Sequence, residues 1–229
     1  MHPKMGTLKL HYLMRNSLDN TMFKVGRDKL FSILRKEGLL IHRKRRFVVT
    51  TQSKHRFHKY KNLIKDWKPT SPHQLVVADI TYLRLEKGFC YLSLLTDAFS
   101  RKIVGWDLNS SLGITGTLNA ARMAIRQCPK TKGLIHHSDR GIQYCAKEYV
   151  KLLKRKNIKI SMGEAGNCYE NALAERMNGI LKQEYGLDFT FKNQKAALKA
   201  VREAINLYNS KRPHLALKYK TPEEVHIAA

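Results

Sequence analysis

Acidic residues are scarce in this 229-residue chain: 18 Asp and Glu stand against 43 Lys and Arg, a formal net charge of +25. A charge of that size favours polyanionic partners. Nucleic acid leads, because neutralising phosphates releases counterions without any sequence reading. An acidic membrane surface is the weaker candidate. No apolar run approaches the roughly 20 residues that span a bilayer, and no secretory signal is expected from the opening residues. Cysteine is sparse as well. Cys90, Cys128, Cys145 and Cys168 are scattered and form no Cys-x-x-Cys pair, so a zinc knuckle or dithiol redox motif has no support and reduced thiols are expected. His55 and His58 lie in a Lys/Arg-rich stretch and do not rescue a zinc site. Internal repeats and low-complexity tracts are missing too, and the length predicts one substantial core plus an appendage.

Three regions follow from the patterning. Residues 1–41 read as short helices, with Leu10, Leu13 and Met14, then Leu30, Ile33 and Leu34, at helical spacing and Gly38 as a stop. Residues 42–70 form a basic linker. It opens on Arg43, Lys44, Arg45 and Arg46 as candidate DNA contacts and interleaves later cations with Phe57, Tyr60 and Trp67. Cations mixed with stacking faces suit a phosphate backbone, although a solvated linker has the same composition. Thr70-Ser-Pro72 marks the boundary with a main domain at 71–229.

Within that domain, residues 75–85, 89–96 and 102–108 are rich in β-formers and closely spaced, which predicts an antiparallel meander. A helix (114–127), a strand (133–138), a helix (146–156) and a strand (157–162) predict parallel βαβ crossovers. A loop at 163–168 leads into a long helix at about 169–186. Further helices are expected at 193–210 and 221–227, with Pro213 between them.

Three carboxylates stand where solvated acids are not expected. Asp79 interrupts the apolar run Leu-Val-Val-Ala-Asp-Ile-Thr-Tyr (75–82), and Asp139 ends the run Leu-Ile-His-His-Ser-Asp (134–139). Asp139 thus closes a predicted parallel strand at its C-terminal end, where ligand sites of such sheets collect. Glu175 lies in the long helix. At about 100° per residue, Asn171, Glu175, Asn178 and Lys182 share a polar stripe opposite Leu173, Met177, Ile180 and Leu181. Such stripes usually face water, so geometry alone does not separate Glu175 from a solvated position. Two strand acids and one helix acid form an oxygen-rich set suited to Mg²⁺ or Mn²⁺. The other acids have structural readings: Asn167 and Glu170 resemble a capping box, and Asp97 is read as capping the turn before Ser100.

Four ordered motifs carry a family resemblance: Asp-Ile-Thr-Tyr (79–82), Thr-Asp-Ala-Phe-Ser-Arg-Lys-Ile-Val-Gly-Trp (96–106), His-Ser-Asp-Arg-Gly-Ile-Gln-Tyr (137–144) and Tyr-Glu-Asn-Ala-Leu-Ala-Glu (169–175). Together with the 35-residue gap between Asp139 and Glu175, they resemble bacterial insertion-sequence transposases of the second-reading-frame type, whose core is similar to retroviral integrase. The likeness covers roughly residues 70–225, and residues 1–41 are similar to part of the helix-turn-helix-like region that precedes the core. It implies a ribonuclease-H-like mixed five-stranded sheet flanked by helices. It also implies a triad of Asp79, Asp139 and Glu175 on two Mg²⁺ or Mn²⁺ ions, with Lys182 and Arg176 contacting DNA.

The reaction implied is cleavage and strand transfer of DNA by a homo-oligomer in the bacterial cytoplasm, at the nucleoid. A first-reading-frame partner would supply a helix-turn-helix and a coiled coil. The resemblance also departs in places: Glu170 stands where the family commonly has Asp, and the His/Cys zinc domain of retroviral integrases is expected to be missing. The same residues admit two other readings, a nuclease on the same fold that only hydrolyses and a truncated DNA-binding remnant.

Overall fold

The computed structural model describes residues 5–19, 25–40, 55–65, 67–163 and 172–228. At its centre, β1 (Leu75–Leu85), β2 (Phe89–Asp97) and β3 (Ile103–Asn109) form the expected antiparallel meander. The β1–β2 turn depends on Gly88, whose φ of +85° is one that residues with a Cβ rarely adopt. The β2–β3 turn is held by Asp97, which accepts from the backbone N–H groups of Phe99 and Ser100, as its turn-capping reading requires.

α3 (Ile114–Gln127) crosses to β4 (Ile135–Ser138), and the short α4 (Ile142–Cys145) with α5 (Lys147–Arg155) crosses to β5 (Lys159–Met162). Both β4 and β5 join in parallel, giving the order β3-β2-β1-β4-β5. A two-residue β6 (Thr190–Phe191) pairs with the far end of β1. Neither β6 nor α4 was expected, since elements this short carry no periodicity.

Alternation along β1 assigns its side chains to two faces. Val76 and Ala78 join the core beneath α3 and α5. Leu75, Val77 and Leu83 point the other way, toward α6 (Ala172–Glu184) and α7 (Gln194–Lys211). Asp79 has the parity of this second face. α3 lies close against β3, where Gly105 meets its backbone: a Cβ there would touch the Ala120 carbonyl and come within 2.9 Å of the Ala124 Cβ.

Outside the sheet, α1 (Thr7–Asp19) and α2 (Arg27–Lys36) pack together, and Gly38 with φ +66° follows α2 as expected. α1 reaches the main domain through Lys9, 3.3 Å from Glu184, and through Tyr12, stacked on Tyr219 at 4.3 Å. Glu184 also takes two bonds, 2.6 and 2.7 Å, from the buried Arg212. The stretch from 55 to 65 runs along the β5 edge. Leu63 N–H donates to Ser161 Oγ, and Tyr60 packs on the core. The C-terminal α8 (Pro222–Ile227) begins with a Thr221/Glu224 capping box and is tied back by a Lys102–Glu223 ion pair.

Candidate active site

β1 and β4 pair in register at Leu75–Ile135, Val76–His136 and Val77–His137. Two residues further along that register, Asp139 leaves the end of β4 beside Asp79, which β1 carries onward as a strand residue. Parallel pairing therefore brings together two acids 60 positions apart in sequence. Each is oriented by local donors. Ile80 N–H donates to Asp79 Oδ1 at 2.9 Å, and Gly141 N–H donates to Asp139 Oδ1 at 2.9 Å. The Gly141 backbone is thus part of the site's scaffold.

α6 supplies the third side. It runs along β1, with Ala174 packed near Val77, Asn178 opposite Asp79 and Lys182 over the Tyr82 ring at 4.4 Å. Asn178 Nδ2 donates to Asp79 Oδ2 at 2.6 Å, and Asn178 is buried. The polar stripe on this helix therefore turns toward the site at Asn178, while Glu175, one turn earlier, is exposed. Glu175 nonetheless lies near enough for its charge to act on Asp79.

The electrostatics follow from this crowding. Desolvation pushes the Asp79 carboxyl up to about 7, with Asp139 and then Glu175 adding like-charge repulsion against the Ile80 and Asn178 hydrogen bonds. A strongly raised carboxyl between like charges is a mark of functional sites. Lys182 feels the same environment. Burial lowers its ammonium, while the charge of Asp79 opposes that shift. The buried Tyr144 hydroxyl has no hydrogen-bond partner among the described residues, and its ionisation is suppressed by burial and by both aspartates.

The donor set fits a hard divalent cation in kind. It consists of carboxylate oxygens, and an ion between them would relieve the repulsion that raises Asp79. Among the described residues no three His, Cys, Asp or Glu side chains close around one point, so the set is a pair of aspartates with Glu175 further out.

The remaining candidates separate. Lys182 belongs to the site. Arg176 is exposed beside Glu175, and its charge reaches Lys9, Arg101 and His214 instead. Arg43, Lys44, Arg45 and Arg46 lie outside the described residues, as do Asn167, Glu170 and Asn171. Asn178 is the residue beside Asp79 that sequence reasoning left without a role. Its position one turn after Glu175, on the stripe shared with Lys182, was the available signal.

Comparison with known proteins points the same way. Two integrase core domain models match, over residues 69–168 and 156–222. The chain is 38% identical over 200 residues to an uncharacterised 31 kDa protein of insertion element IS600 from Shigella sonnei, covering 86% of this chain and 74% of that one. It is 35% identical over 152 residues to the InsF transposase of insertion sequence IS3A from Escherichia coli, covering 66% of this chain and 53% of that protein. The chain thus spans about half the length of that transposase. Among solved structures, the HTLV-2 integrase catalytic core domain in complex with magnesium matches with a TM-score of 0.55 at 21% identity, over 69% of this chain and 99% of that one. A chain of a simian T-cell lymphotropic virus intasome matches with a TM-score of 0.58 at 18% identity, over 96% of this chain and 74% of that one. At these identities the structural likeness establishes the fold, which is ribonuclease-H-like.

Proposed function

The chain belongs to the insertion-sequence transposases that carry an integrase core domain, and we propose that it performs metal-dependent DNA cleavage and strand transfer. The observation that carries this reading is the convergence of Asp79 and Asp139 at adjacent strand positions, with Asp79 raised to about 7 by burial and by its acidic neighbours. Asp79, Asp139 and Glu175 would hold Mg²⁺ or Mn²⁺, as two ions. When bound there, the ions would supply charge stabilisation for the attacking and leaving oxygens of a phosphodiester displacement.

The chain's own residues prepare that chemistry. Ile80 and Gly141 backbone N–H groups fix the two aspartates, and the Asn178 amide holds the second oxygen of Asp79. Lys182, anchored over Tyr82, contacts a DNA phosphate next to the scissile bond, and Arg176 and the Arg43–Arg46 cluster contact the backbone further out. Water attacks first at the element end. The freed 3′-hydroxyl then attacks the target strand, with no covalent link to the protein. Residues 1–41 act as part of a DNA-binding region, residues 42–70 link it to the catalytic domain at 71–229, and the chain works as a homo-oligomer on DNA. A first-reading-frame protein contributes end recognition, and the reaction takes place at the nucleoid in the bacterial cytoplasm.

The test joins a labelled duplex from the repeats flanking the gene to a plasmid in Mg²⁺ or Mn²⁺. Wild type is compared with Asp139→Asn and Glu175→Gln. Metal-dependent joining that both variants lose by a factor of a thousand or more supports strand transfer. Nicking without joining points to a hydrolytic nuclease, and salt-sensitive binding without chemistry, even with the first-frame protein added, points to a binding remnant.

A further inference from the structure

A groove of about 570 Å³ opens on the α6 side of the sheet, beyond the N-terminal end of that helix. Its floor is apolar, made by Leu75, Val77 and Ala98 with Leu173 of α6. Trp67 and Phe99 form its aromatic walls, and Trp67 keeps 39% of its surface exposed. Lys68, Arg101, Lys218 and Lys220 also line it, and among the described residues that do so every charged one is a cation. An apolar cleft ringed by one sign of charge selects a ligand with flat apolar faces and repeated anions.

The backbone around the groove is held under strain. Arg101 has φ +66°, and Lys218 and Tyr219 have φ +54° and +65°, conformations that L-residues with a Cβ rarely adopt. The Arg101 backbone is pinned on both sides, by its N–H donating to the Asp97 carbonyl and by Tyr208 Oη donating to its own carbonyl. These contacts hold the Arg101 backbone in place beside the groove.

We propose that this groove holds an unpaired segment of a DNA strand, with bases against Trp67 and Phe99 and phosphates on Lys68, Arg101, Lys218 and Lys220. Duplex DNA hides its base faces and is far wider than a cleft in the small-ligand range of about 300–1,000 Å³. An unpaired strand presents both the faces and the phosphates. Leu173 lies two residues before Glu175, so the groove begins at the end of the helix that borders the active site and can take a strand leaving it. The inference goes beyond the function proposed above and concerns binding alone. Asp139→Asn should therefore leave it intact, which separates its failure from that of the catalytic reading.

The experiment measures fluorescence anisotropy of the full chain with a labelled oligothymidylate, an abasic oligomer and a duplex of equal length. Photocrosslinking of an iododeoxyuridine oligomer then maps the contact. Wild type should prefer the oligothymidylate over the abasic oligomer by roughly fivefold or more, and Trp67→Ala should remove that preference while Trp67→Phe restores it. The double variant Lys218→Gln, Lys220→Gln should lower the slope of log affinity against log salt by about 1.4, at roughly 0.7 per lost phosphate contact. Crosslinks should fall on Trp67 or Phe99. Trp67 and both lysines are exposed, and unchanged thermal melting of the variants verifies the fold. Equal binding of abasic and base-bearing strands, crosslinks elsewhere, binding confined to duplex, or self-association abolished by the same substitutions would each overturn the proposal.

Discussion

Replacing Asp79 by Asn should make the metal-free protein more stable at alkaline pH, and the size of the gain follows from the site. The Asp79 carboxyl is raised from its ordinary 3.8 to about 7 by desolvation, Asp139 and Glu175. Three units at about 1.36 kcal/mol each amount to about 4 kcal/mol. The sign is set by proton binding. Below about pH 4 the carboxyl is neutral both folded and unfolded. Between about 4 and 7 the folded chain keeps a proton that the unfolded chain has lost, so this contribution to stability falls as pH rises and is gone above 7.

Asn cannot titrate, and the other ionisable groups, including the buried His136 whose imidazole is pushed down to about 3, are common to both proteins. The stability difference between variant and wild type should therefore widen by about 4 kcal/mol from pH 4 to pH 8. In a chain of this size that is a shift of roughly 8–16 °C. The assay is thermal or urea unfolding across that pH range with a chelator present. Added Mg²⁺ should narrow the gap at pH 8, because a bound cation favours the ionised carboxylate. A pH-independent difference would refute the burial and crowding that raise the Asp79 carboxyl.

Further outcomes follow from other parts of the fold. Arg212→Met leaves Glu184, 16% exposed in its side chain, with Lys9 as its remaining partner; the loss should be about 3–5 kcal/mol by urea denaturation. Gly105→Ala should cost at least about 1–3 kcal/mol, because the new methyl meets the Ala120 carbonyl on a helix backbone that cannot yield cheaply. Asn178→Leu removes the donor to Asp79 Oδ2, and the pH profile of strand transfer should move to higher pH while the Kd for DNA stays unchanged. Lys182→Gln should weaken DNA binding and reduce its salt slope by about 1, as loss of one phosphate contact requires.

The sequence made much of this legible because the signals were local. The alternation of Leu75, Val77, Asp79 and Thr81 sets Asp79 on one face of a strand, and the long β-rich run gives β1 its observed limits. Helix spacing placed α3 at Ile114–Gln127, as found. Other features depend on partners distant in sequence. Asn178 looked like one more polar residue on a helical stripe until the packing of α6 along β1 turned it inward to Asp79, 99 positions away. Glu184 had no visible role either, since its partners Lys9 and Arg212 come from other elements. The exposure of Glu175 reflects the same limit. A helical wheel gives its angle, but the approach of α6 to the sheet decides its distance from the aspartates.

Glu175 is the exposed member of the triad, and Mn²⁺ binding measured by electron paramagnetic resonance tests its part in the site most directly. The full chain is titrated with Mn²⁺, with and without DNA, and compared with Asp79→Asn, Asp139→Asn and Glu175→Gln. If the three carboxylates hold divalent ions together, each substitution weakens binding at least about tenfold or removes one bound ion, with Glu175→Gln showing its effect most clearly on DNA. Wild-type affinity and stoichiometry in Glu175→Gln under both conditions would contradict the triad and leave an aspartate pair alone at the site.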